Sequence, residues 1–236
     1  MKNSLLSEIL DWLYPLRCGI CAERLQQEER LICQSCQEGG IFILEDTCQK
    51  CGRAVEKDEI YCYDCSHNSH HYEKGYALFS YSEVQEAILA MKYKREKWRL
   101  KVMADLMAWL YEEVKREWQI DAIAYVPQHF LSLGEKGYHP TKVLAKSLAK
   151  AWGLPLTDSL ACHPKKKHQK QLEKEDRKKN LKNIFYCKEK VKYCRILLID
   201  DIYTTGSTID ACSLCLKQNG AEEIYFLTIA NGGFSQ

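Results

Sequence analysis

The sequence predicts an α/β protein with a parallel sheet flanked by helices, preceded by a small cysteine-rich module. Three observations carry this. Eight cysteines fall in four C-x-x-C pairs before residue 66, and strand-like and helix-like segments alternate from residue 76 onward. In addition, the apolar run Ile196-Leu197-Leu198-Ile199 passes into two acids and a hydroxyl-rich loop that opens a helix. Continuous apolar strands separated by helices belong to parallel sheets covered on both faces. A chain of 236 residues holds one medium domain and one small one, divided here as 1–75 and 76–236.

The composition, 46% hydrophobic and 28% charged, excludes a disordered chain, collagen and an obligate coiled coil. No uncharged apolar run approaches the roughly 20 residues that span a bilayer, so no membrane insertion is expected. Met1-Lys2-Asn3-Ser4 leads into an apolar stretch broken by Glu8 and Asp11, a poor signal peptide and a reasonable amphipathic helix. A cytoplasmic location is expected. Thirteen cysteines in a reducing compartment point to metal or catalysis before disulfides. Charge is uneven: 8 Lys/Arg against 13 Asp/Glu over 1–75, and 26 against 19 over 76–236. A bound polyanion therefore belongs on the C-terminal part.

In the cysteine module the pairs are Cys18/Cys21, Cys33/Cys36, Cys48/Cys51 and Cys62/Cys65. A C-x-x-C turn aims two thiolates at one ion, and two such turns complete a tetrahedral zinc shell. The pairs are separated by 11, 11 and 10 residues, so spacing alone leaves sequential and interleaved pairing open. Internal repetition favours sequential pairing. Residues 18–36 and 48–65 both place a small residue after the second cysteine (Ala22, Gly52) and an apolar residue four positions after it (Leu25, Val55). Both reach the third cysteine through an apolar pair, Leu31-Ile32 and Ile60-Tyr61. Two consecutive zinc ribbons with two structural Zn²⁺ ions are expected, since four-thiolate sites leave no position open for catalysis. His67, His70 and His71 read as linker, and Cys162, Cys187, Cys194, Cys212 and Cys215 as small packing residues.

The larger domain begins with a strand at Tyr76–Tyr81. Ser82 with Gln85 suggests a capping box opening a long amphipathic stretch that runs to Trp118. Asp121–Val126 reads as a short buried strand and Pro140–Trp152 as a helix stopped by Gly153. Asn183–Cys187, Cys194–Ile199 and Ile224–Ala230 read as strands, and Gly206–Asn219 as a helix ended by Gly220.

The chemistry concentrates at residues 196–208. Loops beyond strand carboxyl ends bind ligands in open α/β sheets. Backbone N–H groups at a helix N-terminus suit a phosphate, and Gly206 permits close approach. Ionised Asp200 and Asp201 accept hydrogen bonds from a polyhydroxyl group such as ribose. The ligand indicated is a phosphorylated sugar.

This run resembles the phosphoribosyl pyrophosphate (PRPP) signature of type I phosphoribosyltransferases: an apolar strand, two acids, two residues, then Thr-Thr-Gly-x-Thr. Together with the double zinc ribbon, the chain resembles the ComF family of competence proteins, over nearly its whole length. The resemblance implies a type I phosphoribosyltransferase-like fold and a PRPP site served by Mg²⁺. It also implies a part in taking up single-stranded DNA, with a ComFA-type helicase as partner. Residue by residue, it assigns Asp200 and Asp201 to the ribose hydroxyls and Thr204, Thr205, Gly206, Ser207 and Thr208 to the 5′-phosphate. Val126 and Pro127 match the start of the pyrophosphate loop, and Gln169, Arg177, Asn180 and Phe185 a further family segment. The chain departs from the family in that loop, where Lys136 is the only cation between Val126 and Gly137. Little fixed charge there is a weak design for stabilising a pyrophosphate leaving group, and Thr204 cannot act as a general base.

Two basic stretches are candidates for a nucleic-acid backbone. His163–Asn183 holds nine Lys/Arg and three Asp/Glu, including Lys165, Lys166, Lys167 and Arg177. Met91–Lys101 holds six Lys/Arg and one Glu, with Lys92, Lys94 and Arg95 interleaved with Tyr93 and Trp98. Cations track phosphates and rings stack bases without needing sequence. The leading expectation is a competence accessory protein that binds PRPP and single-stranded DNA. The rival is an active phosphoribosyltransferase that transfers ribose 5-phosphate from PRPP to a base or related acceptor with release of pyrophosphate, and a third reading is a PRPP-sensing regulator.

Overall fold

The structure, a computed structural model, describes residues 15–26, 28–39, 46–94, 96–128, 139–163 and 184–232. The expected N-terminal helix lies outside the described residues, as do Arg95, Lys136, Lys165, Lys166, Lys167, Gln169, Arg177 and Asn180.

Each cysteine quartet forms a ribbon closed by a short helix, α1 (Gln34–Glu38) in the first and α2 (Tyr63–His67) in the second. The chain then runs through β1 (Lys74–Ser80), α3 (Tyr81–Tyr93), α4 (Lys97–Trp118), β2 (Ala122–Tyr125) and α5 (Pro140–Trp152). It continues with β3 (Leu160–Cys162), β4 (Phe185–Cys187), β5 (Arg195–Tyr203), α6 (Ser207–Gln218) and β6 (Glu223–Asn231). Strands β1, β6, β5 and β2 lie side by side in that order, all parallel, which is the α/β class the sequence predicts. Strands β3 and β4 make a separate antiparallel pair.

Alternate residues along the strands cover opposite faces. Ile123, Leu197, Ile199 and Leu227 pack with Ile88, Met103 and Leu144 from α3, α4 and α5. Ile196, Leu198 and Phe226 pack with Ile209 and Leu216 of α6. The two ribbons divide between these faces. Cys18, Ile20 and Ile32 join the first cluster, whereas Cys48, Cys51 and Cys62 join the second. In the first ribbon the buried Arg99 of α4 donates to the carbonyls of Gly19 and Ile20 at 2.6 and 2.8 Å. In the second, the N–H of Gly75 in β1 donates to the Lys50 carbonyl at 3.0 Å.

Three local expectations need correction. The helix after β1 is capped by Ser80, not Ser82, because β1 stays paired with β6 as far as Ser80↔Asn231 and passes into α3 without a linker. Ser82 falls in the first turn, where its Oγ lies 3.0 Å from Ser80 Oγ. The long amphipathic stretch is two helices, α3 ending at Tyr93 and α4 beginning at Lys97. Strand β5 continues through Asp200 and Asp201 to Tyr203, because β6 offers partners out to Asn231. By contrast, the boundaries of α5 match the expectation, with Gly153 left-handed at φ 66°.

Candidate functional site

The eight ribbon cysteines converge as Cys18/Cys21/Cys33/Cys36 and Cys48/Cys51/Cys62/Cys65, the sequential pairing. Within each quartet the sulfurs all lie within 4.8 Å of one another. The Cys21–Cys33 and Cys51–Cys62 sulfurs are 3.6 and 3.7 Å apart. Tetrahedral zinc with Zn–S bonds near 2.3 Å holds its ligand sulfurs about 3.8 Å apart, so both quartets fit the ion. Each supplies four ligands and completes the shell, which suits bracing. In both turns a residue with positive φ follows the second cysteine, Ala22 at 66° and Gly52 at 67°. Only glycine is accommodated at 52, since a Cβ there would lie 2.6 Å from the Gly75 carbonyl oxygen.

The diacid site forms at the carboxyl end of β5. Asp200 and Asp201 are both buried. As consecutive strand residues, their side chains leave the backbone in different directions. Asp200 Oδ1 accepts the Asp201 N–H at 2.9 Å. Burial, and then the neighbouring Asp201 charge, push the Asp200 carboxyl well above the usual carboxylate range. Asp201 reaches the other way, to Lys92 Nζ in the last turn of α3, at 2.7 Å. Lys92, grouped in the sequence with the basic patch, thus stands at the diacid.

The loop that follows is short and shaped. Thr204 and Thr205 are exposed, and Gly206 is buried and left-handed at φ 73°, capping α6. A Cβ at Gly206 would lie 2.5 Å from the Tyr203 hydroxyl, so both conformation and space require glycine. Thr205 Oγ1 and Ser207 Oγ are 2.9 Å apart. Exposed hydroxyls in front of a 12-residue helix's free N–H groups make an anion cradle. Ser207 and Thr208 stand in the first turn, as the sequence places them.

Beside it, Val126 and Pro127 leave β2 next to Asp200, with the Val126 N–H on the Ile199 carbonyl at 2.9 Å. His139 holds this strand end. Its Nε2 accepts the Gln128 N–H at 2.9 Å, and its Nδ1 lies 2.9 Å from Thr141 Oγ1 and 3.4 Å from the Lys142 N–H at the start of α5. The Thr141 hydroxyl donates onward to the Val126 carbonyl. Burial, and then Lys142, lower the His139 pKa to about 4, which keeps the imidazole neutral in this role.

The sequence reading places Lys92 in the basic patch and passes over two other contributors, His139 and Arg53 of the second ribbon, which donates to the Thr204 carbonyl at 2.7 Å. Only a comparison of the two ribbon copies signals it, because Glu23 stands where the second copy has Arg53. His70 and His71, read as linker, lie on Asp210 of α6: the His71 N–H and Nδ1 are 2.5 and 3.0 Å from its carboxylate. Tyr93 and Trp98, flanking the α3–α4 break, are 65% and 37% exposed.

Fold and site together define a pair of four-cysteine ribbons joined to a four-stranded parallel sheet flanked by helices, with a diacid and a hydroxyl loop at one strand end. A family model described as a double zinc ribbon domain matches residues 9–66. Over most of its length the chain is similar to Competence protein F of Haemophilus influenzae, 26% identical over 219 residues, which cover 89% of this chain and 95% of that protein. It is likewise similar to Competence protein ComFC of Streptococcus pneumoniae, 25% identical over 211 residues, 85% and 87% of the two chains. These similarities, over 85–89% of the chain, agree with the resemblance to the ComF family seen in the sequence. Among solved structures, the allosteric regulatory enzyme of purine biosynthesis overlaps 56% of this chain and 26% of its own, at 18% identity and a TM-score of 0.40.

Proposed function

We propose that this chain is a ComF-type accessory protein for DNA uptake, acting in the cytoplasm, whose phosphoribosyltransferase-like domain binds PRPP and single-stranded DNA. The observation that carries the reading is the site at 200–208. Two buried carboxylates lie beside an exposed hydroxyl loop at a glycine-capped helix N-terminus, a match to a ribose 5-phosphate. The names of the similar proteins supply the biological setting. In this reading Asp200 and Asp201 receive the ribose hydroxyls and residues 204–208 the 5′-phosphate. Val126, Pro127 and Lys136 border the pyrophosphate, which Mg²⁺ accompanies as counter-ion, and two Zn²⁺ ions brace the ribbons.

The DNA surface is the α3–α4 turn, with Lys94, Arg95, Tyr93 and Trp98, together with Lys165–Lys167 and Arg177. Exposed rings between cations are what a sequence-independent single-strand groove requires. Lys92 ties this turn to the diacid. A ComFA-type helicase is the proposed partner.

Fluorescence anisotropy with labelled single-stranded DNA, at a series of salt concentrations, tests the assignment. Affinity should fall as salt rises, and Tyr93→Ala with Trp98→Ala should cost about tenfold. Salt-independent binding, or an unchanged double variant, would overturn the DNA surface. Acceptor-dependent pyrophosphate release that Asp201→Asn abolishes would instead favour the enzyme reading, for which the complete 196–208 signature speaks.

A further inference from the structure

We infer that Arg53 of the second ribbon is a positioning residue for the phosphate cradle, so that the second cysteine site, and not the first, is part of the ligand-binding apparatus. The inference rests on the proposed ribose 5-phosphate site and deepens it. Arg53 stands two residues beyond Cys51, with its side chain 18% exposed, and its guanidinium makes two directed contacts. Nη1 donates to Asp64 Oδ2 at 3.0 Å, and Asp64 is fixed in turn between Cys62 and Cys65 in α2. Nη2 donates to the Thr204 carbonyl at 2.7 Å, 151 residues away in sequence. The cysteine quartet therefore positions both Arg53 and its anchor Asp64, and the far end of this brace is the loop itself.

The direction of that contact gives it a function. In a trans peptide the C=O and the following N–H point opposite ways. A guanidinium that holds the Thr204 carbonyl toward the ribbon turns the Thr205 N–H away from it. A charged donor on the oxygen also polarises the peptide and strengthens that N–H as a donor. Two neighbouring contacts fix the same loop from the same side. The Tyr72 and Tyr203 hydroxyls are 2.7 Å apart, and the His71 N–H meets Asp210 in the first turn of α6.

The internal repeat separates this role from ribbon architecture. In the first ribbon the Glu23 carbonyl accepts the Cys18 N–H at 2.8 Å, and in the second the Arg53 carbonyl accepts the Cys48 N–H at 2.7 Å. The backbone duty is identical, but the side chain in the first copy is an exposed glutamate. Closing a ribbon does not require arginine at this position. The first ribbon packs on α4 through Arg99, on the other face of the sheet.

The test is calorimetric titration of the full-length, zinc-loaded chain with ribose 5-phosphate, PRPP and inorganic pyrophosphate, with zinc content measured on each variant. Arg53→Gln should keep two zinc ions per chain, lose about tenfold in affinity for both ribose 5-phosphate and PRPP, and leave pyrophosphate affinity unchanged. Arg53→Lys should recover part of the loss. A general loosening of the fold would weaken all three ligands together and would overturn the inference, as would unchanged ribose 5-phosphate binding. If Arg53→Gln loses zinc, Asp64→Ala decides: it keeps the guanidinium and removes its anchor, and unchanged ribose 5-phosphate affinity there overturns the inference. Wild-type chain that binds no ribose 5-phosphate would remove the proposed site itself, an outcome distinct from wild-type binding with an indifferent Arg53→Gln.

Discussion

Asp200 shows how function is set against stability at a single residue. It is buried at a strand end, with a hydrogen bond from the next backbone N–H and a second carboxylate beside it. Burial and the Asp201 charge raise its pKa, so the folded state holds this proton more tightly than the unfolded chain. Its contribution is then most favourable below the ordinary carboxylate pKa, and it declines as pH rises through the raised value. At neutral pH the acid is a liability, which the proposed ligand site would justify. Asp200→Asn retains an oxygen to accept the Asp201 N–H without the charge. It should be more stable than the wild type by about 1 kcal/mol in urea unfolding at pH 7, with ribose 5-phosphate affinity lost. A less stable variant would show that the carboxylate is held by partners stronger than the Asp201 N–H.

At the scale of elements, the end of β2 and the start of α5 are joined by His139, Thr141 and the backbone of residues 126–128. The clamp needs a neutral ring, because Nε2 must accept. With the folded pKa lowered to about 4 from an ordinary 6.5, the unfolded chain binds the extra proton first on acidification. Stability from this group is complete above about 6.5 and is lost as pH falls toward 4. His139→Gln should flatten that part of the stability-against-pH curve by about 2 kcal/mol relative to the wild type, as read from urea midpoints at several pH values. An unchanged slope would place the acid sensitivity elsewhere.

The elements also show what a linear reading reaches. Pro140–Trp152 was legible to the residue, because proline opens and glycine closes the helix and both signals are local. Strand β5 was legible in its apolar half and cut short at the acids, since only its pairing with β6 extends it to Tyr203. Strand β3 has three residues, Leu160–Cys162, and no periodicity to detect. The site divides in the same way. Residues 200–208 stand in one run and were read from it, whereas Lys92, His139 and Arg53 enter through contacts between distant segments. Both cysteine quartets were visible as a repeat, but the faces they occupy were not.

Over the whole molecule, the duplicated module is not an appendage. Its two copies take opposite faces of one sheet, the first on α4 and the second against β1, α6 and the loop at Thr204. Among the described residues no helix is long and apolar enough to cross a membrane. Ligand site and exposed aromatic turn meet where Lys92 in the last turn of α3 touches Asp201. On this reading the domain uses a sugar-phosphate site next to a single-strand surface, with a zinc ribbon bracing the loop between them. The measurement that reaches furthest into this reading is calorimetric titration of the zinc-loaded full-length chain with PRPP and Mg²⁺. One saturable site per chain, absent in Asp201→Asn, is the predicted result. No heat of binding in the wild type, or equal binding in Asp201→Asn, would contradict it.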